Sequence, residues 1–301
     1  MIVTERVNGR RKPAPISDDQ IDVLMITHNR PAYTRMSLET LISNSSNKVR
    51  VWIWHNGDHA ETIRVVKEYE HNVHRLHISP ENVRLREPTN WILSNATGKY
   101  IGKVDDDCLV APDWTATLVQ ALESDERLGV VACWHFREDD FDLSLVAKKL
   151  ERLRGQLYIV RNDWVQGSGV LMKRECAIDA GLLPSTIEAF TPYCTKISLL
   201  GWKLGWVYPL ILIDHMDDPR SCHSRFKSET DFARNPPLSA EFGKVGSLAE
   251  WKNRVAYLAR EVQLSPVINQ GRFKEFRRLV HRISRRVRRT LGKTDPWRMP
   301  G

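Results

Sequence analysis

The sequence predicts an α/β domain built on a doubly wound, mostly parallel sheet. Short apolar runs recur along the chain with helical segments between them, the pattern of strand and crossover helix. Each run closes in a polar loop, as buried parallel strands do. Three of those loops, at 28–30, 55–58 and 105–107, leave strands at one edge. Open α/β sheets bind ligands beyond the carboxyl ends of their strands, so that edge is the expected site.

The elements follow in order. Residues 22–27 form a first strand, and 35–43 a helix with Met36, Leu38, Leu41 and Ile42 at helical spacing. A second strand ends at the turn pair Asn56-Gly57. A helix over 61–70 and a short strand over 75–78 come next. A helix over 90–96 stops at Gly98, and a fourth strand over 100–104 runs into Asp105. Beyond it the pattern predicts a helix at 114–122, a strand at 130–135 and an acidic loop EDDFD. A strand with a glycine break spans 164–173, a short helix 176–180, and a last strand 207–215. Residues 1–20 read as a loose arm, 21–225 as the catalytic domain and 226–301 as a helical extension.

The chain has 301 residues, 42% of them apolar, enough for one large α/β domain. No apolar run reaches the roughly 20 residues a membrane span needs. The N-terminus lacks the apolar core of a signal peptide, so a cytoplasmic location is expected, peripheral on the inner membrane face. The five cysteines are widely spaced with no CxxC, which indicates free thiols in a reducing compartment. The net charge of +8 is concentrated: 272–293 holds ten Lys or Arg against one acid, Glu275. The remainder of the chain is nearly neutral.

Asp105, Asp106 and Asp107 stand together at the end of the fourth strand. Adjacent carboxylates resist ionisation unless a cation or hydrogen-bond donors offset them. Hard divalent cations bind through one or two carboxylates together with substrate phosphates. Such a metal stabilises the charge that develops on a diphosphate leaving group. The competing reading is a solvated acidic turn.

Several motifs together resemble the GT-A glycosyltransferases, a Rossmann-like fold, and within them the large inverting family 2. The resemblance covers 21–215. VLMITHNRP is similar to the family's first strand and nucleotide loop, and VWIWHNGD to its second-strand motif. Asn82 and Asn90 match two spaced asparagines, and ATGKYIGKVDDDCLVAPDW the strand and D-x-D segment. QGSGVLMKRECAIDAGLLP is similar to the acceptor strand, and GWKLGWVYPLILIDH to the closing strand with its histidine. The resemblance implies Mn²⁺ or Mg²⁺ on Asp107 and His215. It implies a nucleotide-sugar pocket formed by Thr27, Asn29, Arg30, Asn56, Asp58, Arg86, Asn90, Lys103, Asp105 and Asp106. Trp164, Gly167 and Ser168 would form the acceptor and sugar pocket. The implied donor is a nucleotide-diphosphate sugar, UDP first, and the acceptor a glycan or lipid-linked molecule.

The chain departs from the family at three places. His55 stands where an aspartate usually reads uracil, with Asp58 three residues on. Thr89 stands where an arginine commonly precedes the second asparagine. An inverting enzyme needs a carboxylate base beside its acceptor, and the usual Glu-Asp pair is missing. Glu188 is the nearest acid, with Asp139, Asp140, Asp217 and Asp218 in nearby loops. A retaining reaction stays open on that ground.

The helix expected at 271–292 carries Phe273, Phe276, Val280, Ile283, Val287 and Leu291 on one stripe, with arginine on its other faces. That pattern suits an anionic membrane surface. Docking on a protein, and binding of nucleic acid, are the alternatives. Two further functions compete with glycan or lipid glycosylation: transfer to DNA or another polyanion, and a degenerate module that binds nucleotide without transfer.

Overall fold

The computed structural model describes residues 17–269, 275–280 and 283. Most of the basic segment therefore lies outside the described residues; 275–280 is helical.

Strand β1 (Ser17–Thr27) leads through the loop at Asn29 into helix α1 (Pro31–Ser43). Pro31 sits in the first turn, where a missing N–H costs nothing. β1 begins inside the segment read as an arm. Its register against the later strand β4 shifts between Ser17 and Ile21, at a bend where Asp19 has φ 63°. β2 (Val49–Asn56), α2 (Ala60–Glu68), β3 (Arg75–Ser79) and α3 (Arg86–Asn95) follow. β4 (Gly98–Asp105) ends on the first aspartate of the triplet, and β5 (Cys108–Val110) starts directly after the third.

Then come α4 (Trp114–Glu123), β6 (Leu128–Ala132), α5 (Leu143–Val146), β7 (Leu150–Arg152) and β8 (Tyr158–Asn162). β9 (Val170–Lys173) is shorter than the sequence pattern suggests, because 164–169 is a loop. α6 (Arg174–Ala180) and α7 (Phe190–Leu199) lead to β10 (Lys203–Tyr208) and β11 (Ile213–His215). The run 207–215 expected as one strand is therefore two, parted by residues 209–212. α8 (Glu229–Arg234), α9 (Leu238–Phe242) and α10 (Leu248–Leu264) complete the described chain. Ser247 caps α10, its hydroxyl accepting the Glu250 N–H.

Nine strands form one sheet in the order β3-β2-β1-β4-β9-β6-β10-β8-β7. β1 is parallel to β2 and β4, while β9 runs antiparallel between β4 and β6. The sheet is thus mixed but mostly parallel. Alternation along β1 sends Val23 and Met25 to one face and Leu24 to the other. The first face packs on α1, α2 and α4, through Leu38, Val66 and Leu118. The second packs on α3, α6, α7, α8 and α10, through Ile92, Ala177, Ile197, Phe232 and Trp251. The segment beyond 225 therefore shares the core of the sheet.

Asp22 is among the charges buried inside this sandwich. It accepts bonds from Arg50 Nε and Nη2, Trp52 Nε1 and the N–H groups of Thr97 and Gly98. Such full pairing is what makes a buried carboxylate tolerable. It ties β1, β2 and the start of β4 together at the edge away from the aspartate triplet.

Candidate active site

The short β5–β11 ribbon assembles the site. It pairs antiparallel, with His215 opposite Cys108 and Ile213 opposite Val110. The Met216 N–H donates to the Asp107 carbonyl at 2.8 Å. A histidine more than a hundred residues downstream is thereby set beside the last aspartate, with His215 Nε2 3.7 Å from Asp107 Oδ2. Two ligands on one cation, each at about 2.1 Å, can span that gap. Cys108 Sγ lies in the same group, whose three donor atoms all fall within 4.8 Å of one another. The thiol is fully buried and its pKa is pushed well up, by burial and then by Asp107 and Asp105. It therefore stays protonated and donates to Asp107 Oδ1 at 3.3 Å.

Arg30, at the start of α1, reaches into the same space. Nη1 donates to Asp107 at 3.0 Å and to Asp217 at 2.9 Å, and Nη2 bonds Asp106. One guanidinium thus bridges three carboxylates and offsets part of their charge. Asp106 is also held by the His28 N–H at 3.0 Å and by the Thr34 hydroxyl. Burial would push Asp107 up, but Arg30 and His215 outweigh it and hold its carboxyl well below the usual range. For His215 burial opposes charge, yet Asp107 with Asp217 and Asp218 lifts it to about 9. Burial, and then the neighbouring Asp107 charge, raise Asp217 to about 6.

Asp105 takes a different setting. Its N–H donates to the Ser168 hydroxyl at 2.9 Å, and its carboxylate accepts from Lys103. Lys103 also donates to the Gly167 carbonyl at 2.8 Å. The loop 167–169 therefore closes over the end of β4. Gly169 is required there: its φ is +63°, and a Cβ would lie 1.9 Å from Ile213 Cδ1.

These bonds place the side chains that the sequence singled out. Arg30, Lys103, Asp105, Asp106, Asp107, Gly167, Ser168 and His215 come together. Thr27 is buried, its hydroxyl 2.8 Å from His55 Nδ1. Asn29 holds a left-handed φ of 49° at the exit of β1. Asn56 and Asn90 spend their amides on the backbone. Asn56 bonds Val83, Arg84 and the Trp54 indole, and Asn90 bonds Leu183 twice. Asp58 is exposed beyond β2. Arg86 and Glu188 pair with each other at 3.1 Å. Trp164 turns toward the C-terminal segment, donating to Ser265 and packing edge-on against Trp206.

His55 is fully buried, and burial, then the neighbouring His28 and His59, lower its pKa to about 4. The position expected to read the base therefore holds a neutral ring. On the far side of His215, a cavity of about 200 Å³ is lined by His135, Asp139, Asp214 and Asp218 among others. Asp140 and Asp218 both grip Arg220. Sequence reasoning missed Asp217 as a partner of Arg30, although it lies two residues past His215. It also missed Tyr33, whose hydroxyl joins α1 to the Met216 carbonyl and the Arg225 N–H.

A mostly parallel sheet with an acidic cluster and a histidine at its carboxyl edge defines a GT-A glycosyltransferase fold. The chain belongs to glycosyl transferase family 2, whose family model matches residues 22–173. The glycosyltransferase GlyA of Streptococcus pneumoniae is 27% identical over 125 residues, 41% of this chain and 18% of that protein. The chain thus spans under a fifth of that relative's length. The mannosyltransferase PcManGT of Pyrobaculum calidifontis, solved with GDP-Man and Mn²⁺, superposes with a TM-score of 0.56. It is 19% identical, over 84% of this chain and 74% of that one. S. aureus TarS 1-349, solved with UDP-GlcNAc, gives a TM-score of 0.52 at 11% identity, covering 93% of each chain. Among the described residues no helix is long and apolar enough to cross a membrane.

Proposed function

We propose that the chain transfers a sugar from a nucleoside-diphosphate sugar to a hydroxyl of a glycan or lipid-linked acceptor, with inversion. In this reading Asp107 and His215 hold Mn²⁺ or Mg²⁺, and the cation offsets charge on the departing diphosphate. The observation that carries it is the 3.7 Å approach of His215 to Asp107 on the β5–β11 ribbon. Solved relatives of the same fold, one with GDP-Man and Mn²⁺ and one with UDP-GlcNAc, support the donor class. Asp105, fixed by Lys103 and Ser168, faces the nucleotide. Arg30 and Asp106 order the loop beneath it. Asn56 and Asn90 shape the pocket by holding its backbone.

The test is hydrolysis or transfer of nucleotide sugars with Mn²⁺, UDP sugars first. Asp107→Ala should lower turnover by about a hundredfold or more, the scale of losing a main electrostatic stabiliser. If wild type turns over no donor in Mn²⁺, the reading fails and a nucleotide-binding module takes its place.

The acceptor base in this reading is Glu188. It lies two residues before Phe190, whose Cβ would sit 3.1 Å from a Cβ at Gly167. Asp139, on the wall of the cavity beside His215, is the comparison. Glu188→Gln should cut transfer by about a hundredfold or more and leave donor affinity unchanged, whereas Asp139→Asn should leave both transfer and donor affinity unchanged. The reverse outcome moves the base to the cavity.

The same reading sets the protein against the inner face of a membrane through 271–292. Flotation with anionic vesicles, with and without 271–301, tests this; equal binding of the two forms sinks it.

A further inference from the structure

The opposite edge of the sheet carries a second concentration of charge. β6 and β10 run parallel to β4, so their first residues lie at the edge away from Asp105 and Asp107. A cleft of about 880 Å³ opens there between β7, β8, β10 and the segment after α10. That is within the range of small-ligand sites, about 300–1,000 Å³. Arg127, Lys148, Lys149, Arg161, Lys203 and Arg277 line it against a single lining acid, Glu151. Glu151 is engaged by Arg161 and Lys203, and Lys203 also reaches Asp125. Arg127 and Lys148 are exposed at its mouth. The cations still outnumber the acids. Guanidinium forks and ammonium groups together suit phosphate oxygens.

A second observation selects the kind of phosphate. The helical stretch 275–280 borders the cleft, with Arg278 Nε donating to Asn269 Oδ1 at 3.1 Å. Phe276, Leu279, Val280 and Ile283 are exposed beside it. A cationic cleft next to exposed apolar side chains complements a lipid surface, headgroup to one and acyl chains to the other.

We propose that this cleft binds the phosphate headgroup of an anionic lipid while Phe276, Val280 and Ile283 enter the acyl boundary. The proposal rests on the membrane reading of the C-terminal segment and gives it a recognition site. β10 is six residues long, about 20 Å, so the cleft and the donor site are separate.

The test uses the full chain in EDTA with two probes. Calorimetry with a short-chain, water-soluble phosphatidic acid reads the cleft alone. Flotation with phosphatidylcholine vesicles, with and without phosphatidic acid, reads the surface. The variants are Arg127→Glu/Lys148→Glu for the cleft, Phe276→Ser/Ile283→Ser for the stripe, and Lys252→Glu, an exposed residue outside the cleft, as control. The cleft variant should bind the soluble lipid about tenfold more weakly or worse and lose the preference for phosphatidic acid vesicles. The stripe variant should lose vesicles and keep the soluble lipid. Should wild type bind the soluble lipid through the cleft yet ignore vesicles, the site stands and the membrane reading falls. A cleft variant equal to wild type with both probes overturns the proposal, even if the stripe variant still leaves vesicles.

Discussion

Arg30 stands among Asp106, Asp107 and Asp217 where a divalent cation would otherwise supply the positive charge. A metal bound to Asp107 competes with this guanidinium. Arg30→Ala removes the competitor and strands three buried carboxylates, a loss of about 3 kcal/mol or more. The variant should melt well below wild type in EDTA. In Mn²⁺ it should recover about 2.7 kcal/mol at a hundredfold excess over its Kd, more than wild type gains. Thermal unfolding with and without Mn²⁺ checks this, and equal metal shifts in the two proteins would refute the competition. At this scale the sequence singled out residues that the fold brings together, but not the contacts that each one makes. The aspartate triplet and His215 were legible as residue types that bind cations. That Lys103 answers Asp105, and that Asn56 and Asn90 serve the backbone, depends on contacts across the fold. No local pattern encodes them.

At the scale of elements, the first half of the sheet was readable because its strands carry short apolar runs between polar loops. The second half was readable only in part: α4, β6, β9 and α6 fall on expected runs, whereas β7, β8 and α7 do not. The three-residue strand β7 shows no period, and α7 has Pro192 in its first turn, where it is tolerated though it looks like a breaker. The ribbon was hidden for a related reason: the apolar residues on both sides of Pro209 read as one run, although the proline itself marks the break before β11. Its closeness to the loop 167–169 makes a prediction. Gly169→Ala forces a methyl into Ile213 Cδ1, and overpacking of this kind costs about 1–3 kcal/mol. Ile213→Val removes that carbon. Gly169→Ala should therefore cost less in the Ile213→Val background than in wild type, by urea unfolding of the double-mutant cycle. Additive costs would mean that the strain at φ +63°, not the contact, dominates.

For the whole molecule, the question is what the C-terminal helices do for a site made by the sheet. α10 packs on the same core face as β6 and β10 through Trp251, Val255, Ala259 and Val262. It also touches both loops beside His215. The Trp251 indole donates to the Asp217 carbonyl at 2.8 Å. Gln263, almost fully buried, accepts the Asp142 N–H and donates to the Asp140 carbonyl, each at 2.7 Å. Arg220 then clasps Asp140 to Asp218. One helix thus fixes the acidic loop, and through Arg220 that loop fixes the turn after β11. Gln263→Ala leaves the Asp142 N–H and the Asp140 carbonyl without these partners, at a cost of about 1–3 kcal/mol. Because the aspartate triplet is held by α1, β4 and the loop 167–169, the damage should stay in the two loops that α10 touches. Hydrogen exchange in 138–142 and 217–220 should accelerate about tenfold or more, while exchange in β1 and β4 and the hydrolysis of donor without acceptor hold steady. A uniform rise in exchange across the sheet would show instead that Gln263 supports global stability alone, and that α10 does not brace these two loops in particular.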